Sequence, residues 1–275
     1  MPRVGLIPLA LALAWCGGPV AAQSPAYRIL ITNADGVHAS GLAAVAQVLQ
    51  AIGQVIIVAP ATDRDGANHL SRDPIYRDDL TLPNGLRAVG LSATPATTVA
   101  VALGRLLTPG PDLVVSGLDR GYALGTSTFV SGTVAAALEA AARGIPAIAV
   151  SLDDAAPAND LVFAAEEVLG VARRVKQYGL PAGTFLNVNI PPRSAEGYRG
   201  YQITTRSGGS GVPVRLVEAR HPSGQTIYWS LPGEGVAAPQ GTDIRAVTEG
   251  YVSVTPVTLG GTDHAQIGQL RVIFE

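Results

Sequence analysis

Short runs of apolar β-formers alternate with segments whose apolar positions recur every three or four residues, and this alternation continues as far as Pro192. Arg28 to Thr32 predicts a first strand, and Ser40 to Ile52 a helix with an apolar stripe at Leu42, Val45, Ala46, Val48 and Leu49, ended by Gly53. Val55 to Val58 reads as a buried strand closed by Pro60. From Ala61 to Asp73 periodicity disappears, and Ile75 to Gly90 reads as short extended pieces around the turn Pro83-Asn84-Gly85. A helix runs from Thr94-Pro95 through Leu107, with Thr94 as N-cap and proline at the first helical position. Asp112 to Ser116 predicts another buried strand, followed by a glycine-rich loop from Gly117 to Gly125. Next come a helix over Val134 to Arg143, a strand over Ala147 to Leu152, an amphipathic helix over Asn159 to Tyr178 and a strand over Thr184 to Ile190. This is the pattern of a mostly parallel α/β sheet covered by helices on both faces.

Beyond Pro192 the chain turns to Gly, Ser and Pro with short alternating stretches, Tyr201 to Thr205 and Thr226 to Ser230, which predict a β-hairpin arm. Helical character returns at Thr242 to Glu249, before a strand at Tyr251 to Pro256. The expected division is an export signal over residues 1–22 and one domain over 23–275. Its core spans about 27–192 and 241–257, its β arm about 193–240, and its tail 258–275.

Arg3 precedes the apolar run Leu6 to Trp15, which ends in Pro19-Val20-Ala21-Ala22, the form of a secretory signal cleaved near Ala22. The run is shorter than the ~20 residues that span a bilayer, so no membrane anchor is expected in the mature form. The expected location is periplasmic or secreted. Cleavage removes Cys16, the one cysteine of the 275 residues, which excludes disulfides, thiol nucleophiles and Cys-ligated zinc. A formal charge of −2, with no basic run interleaved with aromatics, argues against binding nucleic-acid duplexes.

Three loops expected at the same sheet edge each carry a carboxylate: Asp35, Asp65 and Asp119. Each alone reads more readily as a solvated turn residue. Together they suit a hard divalent cation, which takes carboxylate and water oxygens. Ser131-Gly132-Thr133 opens a helix, so free N–H groups and two hydroxyls form a cradle for phosphate, although a serine there would also serve as an ordinary N-cap. His69, with His38 nearby in sequence to Asp35, offers an acid for a leaving alkoxide. No Gly-x-Ser-x-Gly, His-Glu-x-x-His or Walker pattern is present.

The stretches Ile29 to Gly41, Val58-Ala59-Pro60, Thr94-Pro95, Val114 to Gly117, Ser131 to Glu139 and Gly144 to Ser151 resemble the SurE family of stationary-phase survival nucleotidases. The likeness continues through Asn187 to Pro191, Gly241-Thr242-Asp243 and Glu249 to Pro256. It implies a Rossmann-like α/β domain with a C-terminal β arm, and a homodimer or homotetramer built partly by swapped C-terminal segments. It also implies phosphate release from nucleoside monophosphates with magnesium or manganese. The family's four metal-binding places, two consecutive aspartates, a serine and an asparagine, fall at Ala34, Asp35, Asp65 and Asp119. A second family asparagine falls at Ala123, an aspartate at Thr97, and an aromatic or histidine at Val130.

Two readings follow. In the first, the chain is a divalent-metal-dependent phosphomonoester hydrolase acting on a small phosphorylated substrate such as a nucleotide. Asp35, Asp65 and Asp119 hold magnesium, manganese or calcium, Ser131, Gly132 and Thr133 hold phosphate, and Asp35 and His69 are the catalytic candidates. In the second, the altered motif leaves a non-catalytic protein that binds a metal or an anionic ligand.

Overall fold

The computed structural model describes residues 26–64, 66–208, 214–232 and 238–260, with 266, 267 and 271. The segment 1–22 and Asp65 lie outside the described residues. In chain order the strands and helices are β1 (Arg28–Thr32), α1 (Ser40–Leu49), β2 (Gln54–Pro60), β3 (Arg77–Thr81), β4 (Arg87–Leu91), α2 (Pro95–Val101), β5 (Leu113–Arg120) and α3 (Gly132–Ala142). They continue as β6 (Ala147–Leu152), α4 (Asp160–Tyr178), β7 (Thr184–Ile190), β8 (Tyr201–Ile203), β9 (Val214–Arg220), β10 (Thr226–Pro232), α5 (Asp243–Thr248) and β11 (Val252–Thr258). Among the described residues no helix is long and apolar enough to cross a membrane.

The described strands form a nine-stranded sheet in the order β3-β4-β2-β1-β5-β6-β7-β11-β8, with β9 and β10 as a separate antiparallel pair. From β4 to β7 neighbours are parallel. The chain leaves β1 for β2 on one side and later returns to β5 on the other. The switch point of this doubly wound sheet is therefore the β1–β5 pair, where a crevice opens beyond the strand ends.

Alternation within the strands divides the core. Ile29, Ile31 and Val115 face α1 and α4, while Leu30, Val114 and Ala149 face α2 and α3. Each fully buried Leu or Ile contributes about 1.5–3 kcal/mol relative to exposure, so reversing one strand's faces would forfeit several such contributions at once. Helix α3 buries Ala136, Ala137, Ala140 and Ala141 against a sheet face that is itself small at Ala147 and Ala149. Methyl groups on both sides let helix and sheet approach closely.

Three expectations are corrected. Strand β5 does not stop at Ser116. It runs on to Arg120 with a register shift against β6 between Ser116 and Asp119, so Asp119 lies in a strand and not in the following loop. Tyr201–Ile203 is not part of a hairpin but pairs in parallel with β11 at the edge of the main sheet, and the hairpin is β9–β10. Helix α2 ends at Val101 and continues as a π-helical turn over Ala102–Leu106.

Candidate functional site

The turn after β1 is tied to its neighbours by backbone groups. Asn33 closes it by donating from Nδ2 to the Gly36 carbonyl at 2.8 Å. Gly36 has φ +96°, and a Cβ there would meet the Thr62 carbonyl carbon at 2.9 Å, so both conformation and space demand glycine. The Val37 N–H donates to Pro60 O at 2.7 Å and the Arg64 N–H to Ala34 O at 2.8 Å, which fixes this turn against the loop after β2.

On the other side, Gly117 has φ +124°, and a Cβ would stand 2.2 Å from Val150 O. The irregularity it begins works as a β-bulge, re-aiming the strand's last side chains. Asp119 is left 2% exposed, turned toward the β1 turn. Its Oδ2 accepts from the Ala34 N–H at 2.9 Å and the Thr133 hydroxyl at 2.6 Å, and its Oδ1 accepts from the Asp35 N–H at 3.2 Å. Burial, then the neighbouring Asp35 charge, raise the Asp119 pKa from 3.8 to about 7, against the lowering effect of these three hydrogen bonds. Asp35 is half-buried, and its Oδ2 accepts from the Arg120 N–H at 3.0 Å.

Helix α3 begins at the same place. Ser131 is its N-cap, with Oγ accepting from the Val134 N–H at 3.3 Å. A Cβ on Gly132 would meet Pro95 Cγ at 3.0 Å, Arg64 O at 3.2 Å and Ala34 Cβ at 3.3 Å. The start of α3, the start of α2, the loop after β2 and the turn after β1 therefore converge on one glycine. Thr133 is buried, and its proton is directed to Asp119.

The expected residues are thus partly assembled. Asp35, Asp119 and Thr133 meet, with Ser131 and Gly132 on the adjoining helix start. Asp65 lies outside the described residues, although the neighbouring Arg64 backbone is bonded to Ala34. His69 is exposed and lines an adjoining cavity of about 380 Å³ with Arg64, Ser71 and Thr94. Its carbonyl accepts from the Thr94 hydroxyl at 2.6 Å, and the Ser71 N–H donates to Thr97 Oγ1 at 2.6 Å, which docks the loop on α2. His38 is exposed.

Two supports were not assigned a role from sequence. Asn189 Oδ1 accepts from the Ala123 N–H at 2.9 Å, and Asn187 Nδ2 donates to Ala123 O at 2.8 Å, so β7 grips the glycine-rich loop from below. The signal was the paired asparagines in an otherwise apolar strand. Asp243, fully buried, accepts from Gly125 N–H at 2.8 Å, Ser207 N–H at 2.9 Å and Ile244 N–H at 2.8 Å.

The donor set fits a hard cation. Asp35 and Asp119 are like-charged oxygen donors in one crevice, and a cation there would offset both the burial and the Asp35 repulsion that raise Asp119. Around them Thr32 Oγ1, Asn33 Oδ1 and Ser116 Oγ are buried without a hydrogen-bond partner among the described residues. Oxygen donors of this kind suit a cation that retains water. Among the described residues no group of three or more His, Cys, Asp or Glu is assembled, Asp65 standing outside that set.

Residues 29–210 match the family model described as Survival protein SurE. The chain is 42% identical over 239 residues to the 5'-nucleotidase SurE of Syntrophotalea carbinolica, covering 86% of this chain and 92% of that one. It is 39% identical over 240 residues to the 5'/3'-nucleotidase SurE of Cronobacter sakazakii, covering 86% and 92%. The crystal structure of the SurE protein from Aquifex aeolicus superposes with a TM-score of 0.77 at 31% identity, covering 90% of this chain and all of that one.

Proposed function

The chain belongs to the SurE family, and from that premise we propose that it is a phosphomonoester hydrolase of the nucleotidase type, acting on nucleoside monophosphates or related phosphoesters. The observation that carries the reading is the Thr133–Asp119 hydrogen bond, which joins the carboxylate crevice to the start of α3. An anion held at that helix start would lie beside both carboxylates.

The roles follow from the atoms. The first N–H groups of a helix have no partner within it, and they bear the positive end of its dipole. The α3 start and the Ser131 hydroxyl proton would bind and orient the phosphate, since Ser131 Oγ uses only its acceptor capacity on Val134. Asp35 and Asp119, with Asp65, would hold magnesium or manganese, and calcium by the same oxygen preference. When bound, such a cation polarises the phosphoryl group and lowers the pKa of a coordinated water. Thr133 keeps Asp119 aimed into the crevice, and the Arg120 N–H does the same for Asp35. His69, on the loop docked beside the crevice, would supply the proton for the leaving alkoxide.

A second reading has its own observation. Ala34 puts a fully buried methyl where the family pattern has a carboxylate, and Asp119 already accepts three hydrogen bonds. A non-catalytic protein binding an anionic ligand would show calorimetric binding without turnover. The deciding experiment measures phosphate release by residues 23–275 from nucleotides and aryl phosphates with magnesium, manganese or calcium. Release that Asp35→Asn abolishes supports hydrolysis; no release with any of the three ions refutes it.

We read residues 1–22 as an export signal, to be checked by cell fractionation and N-terminal sequencing of the mature protein. The exposed Tyr228 and Trp229 of the β9–β10 hairpin support a homodimer or homotetramer, measurable by analytical ultracentrifugation.

A further inference from the structure

Beside the start of α3 lies a groove of about 290 Å³, and Ser131 lines it together with Asn68, Phe129, Arg206, Val134 and Leu138. From Ser131 to Leu138 its helical wall is about 10 Å long, at 1.5 Å per residue. The Arg206 guanidinium lies over the Phe129 ring at 4.0 Å from its centroid, and Phe129 remains 59% exposed.

This pair is built. Phe129 ends a 3₁₀ turn over Thr126–Phe129, preceded by Gly125, whose N–H donates to Asp243 Oδ2. Arg206 is held from both neighbours: the Thr205 N–H donates to Gly241 O at 2.9 Å, and the Ser207 N–H to Asp243 Oδ1. One buried carboxylate therefore fixes the two segments that bring ring and guanidinium together. Asn68 Nδ2 donates to Phe129 O at 2.5 Å and ties the same turn to the loop after β2.

Planar bases stack on aromatic faces and on guanidinium planes. We propose that the Phe129–Arg206 pair is the subsite for the base of a nucleoside monophosphate whose phosphate lies at Ser131. The assignment rests on the phosphohydrolase reading, because it takes Ser131 as the phosphate end. The groove continues directly from that end, its mouth is aromatic and cationic, and its α3 wall is apolar, which favours a heterocycle over a second phosphate.

The test compares wild type, Phe129→Ala, Phe129→Tyr and Arg206→Ala on a nucleoside 5'-monophosphate and on glycerol phosphate. Base stacking has a typical worth that corresponds to about 5- to 150-fold in affinity. The ratio of kcat/KM for nucleotide over glycerol phosphate should fall about tenfold or more in Phe129→Ala and Arg206→Ala, mainly through KM, and Phe129→Tyr should keep it. An unchanged ratio overturns the proposal, as does an equal loss on both substrates. A change of oligomeric state in Phe129→Ala, with the ratio unchanged, would make the groove a contact between copies and also overturn it. Should the wild type hydrolyse neither substrate, the phosphohydrolase reading fails by itself. Calorimetry of nucleoside monophosphate against inorganic phosphate then still decides the subsite: tighter nucleotide binding lost in Phe129→Ala supports it, and equal binding refutes it.

Discussion

Replacing Asp243 by asparagine isolates the contribution of one buried carboxylate without making a cavity. Its Oδ1 accepts from Ser207 and Ile244 N–H groups and its Oδ2 from Gly125 N–H, all at 2.8–2.9 Å. The amide can keep an oxygen toward only one side. If that oxygen stays on Ser207 and Ile244, the NH₂ group faces the Gly125 N–H, and two donors oppose each other in a buried place. An unsatisfied buried donor costs about 1–3 kcal/mol, and the two surviving hydrogen bonds lose their charge assistance. The expected loss is about 3 kcal/mol, which corresponds to a Tm lower by about 6–12 °C for a domain of this size. Differential scanning calorimetry and urea denaturation measure it. A Tm within about 2 °C of wild type would show that the three hydrogen bonds are not what joins the glycine-rich loop to the segment around Arg206.

Thr133→Val removes the 2.6 Å donor to Asp119 while keeping the side-chain shape, and should lower stability by about 2 kcal/mol, as for a hydrogen bond to a charged group; urea midpoints unchanged from wild type would contradict it. Gly132→Ala, at the first helical position, forces a methyl against Pro95, Arg64 O and Ala34. Phosphatase activity should fall at least about tenfold, as expected for a small displacement of an oriented site, and a fully active, more stable variant would show that these neighbours yield. Tyr198 and Tyr201 are each pushed up to about 12, by burial first, then by the Asp160 and Glu167 charges for Tyr198 and the Glu167 hydrogen bond for Tyr201. The folded protein then keeps protons that the unfolded chain releases near pH 10, so stability should fall as pH rises from about 10 to 12. Phenolate absorbance at alkaline pH, followed with and without urea, checks the order of these ionisations.

The parallel core was legible because local pattern and tertiary position agree there. β1, β6 and β7 are predominantly apolar, β7 being interrupted by Asn187 and Asn189, and they are buried centrally with the expected bounds. Where non-local pairing decides, the pattern misleads. Gly117 reads as a strand breaker, yet β6 lies alongside and lets the strand resume two residues later in a shifted register. Tyr201–Ile203 is too short to signal its partner, and only the edge left by β11 recruits it into the sheet. In the site, the Asp35–Asp119 pairing followed from topology, because both residues stand at the switch point. The Asp243 contacts did not, since they join positions 36 and 118 residues away in sequence, and no local pattern encodes such a meeting.

The alanines of α3 have a consequence for how the crevice can change over evolution. Ala136, Ala137, Ala140 and Ala141 lie one to three turns from Ser131 and touch no ligand in the proposed chemistry. Yet a rigid rod held at its far end by methyl groups transmits tilt to its tip. Lengthening one of those side chains to valine would lift the helix from β6 at that point, and the start that carries Ser131 and Thr133 would swing relative to Asp119. The tolerances of the crevice are in this sense stored at a distance, in side chains whose only qualification is being small. Drift in substrate preference can therefore begin in the floor of the helix with every polar residue of the site unchanged.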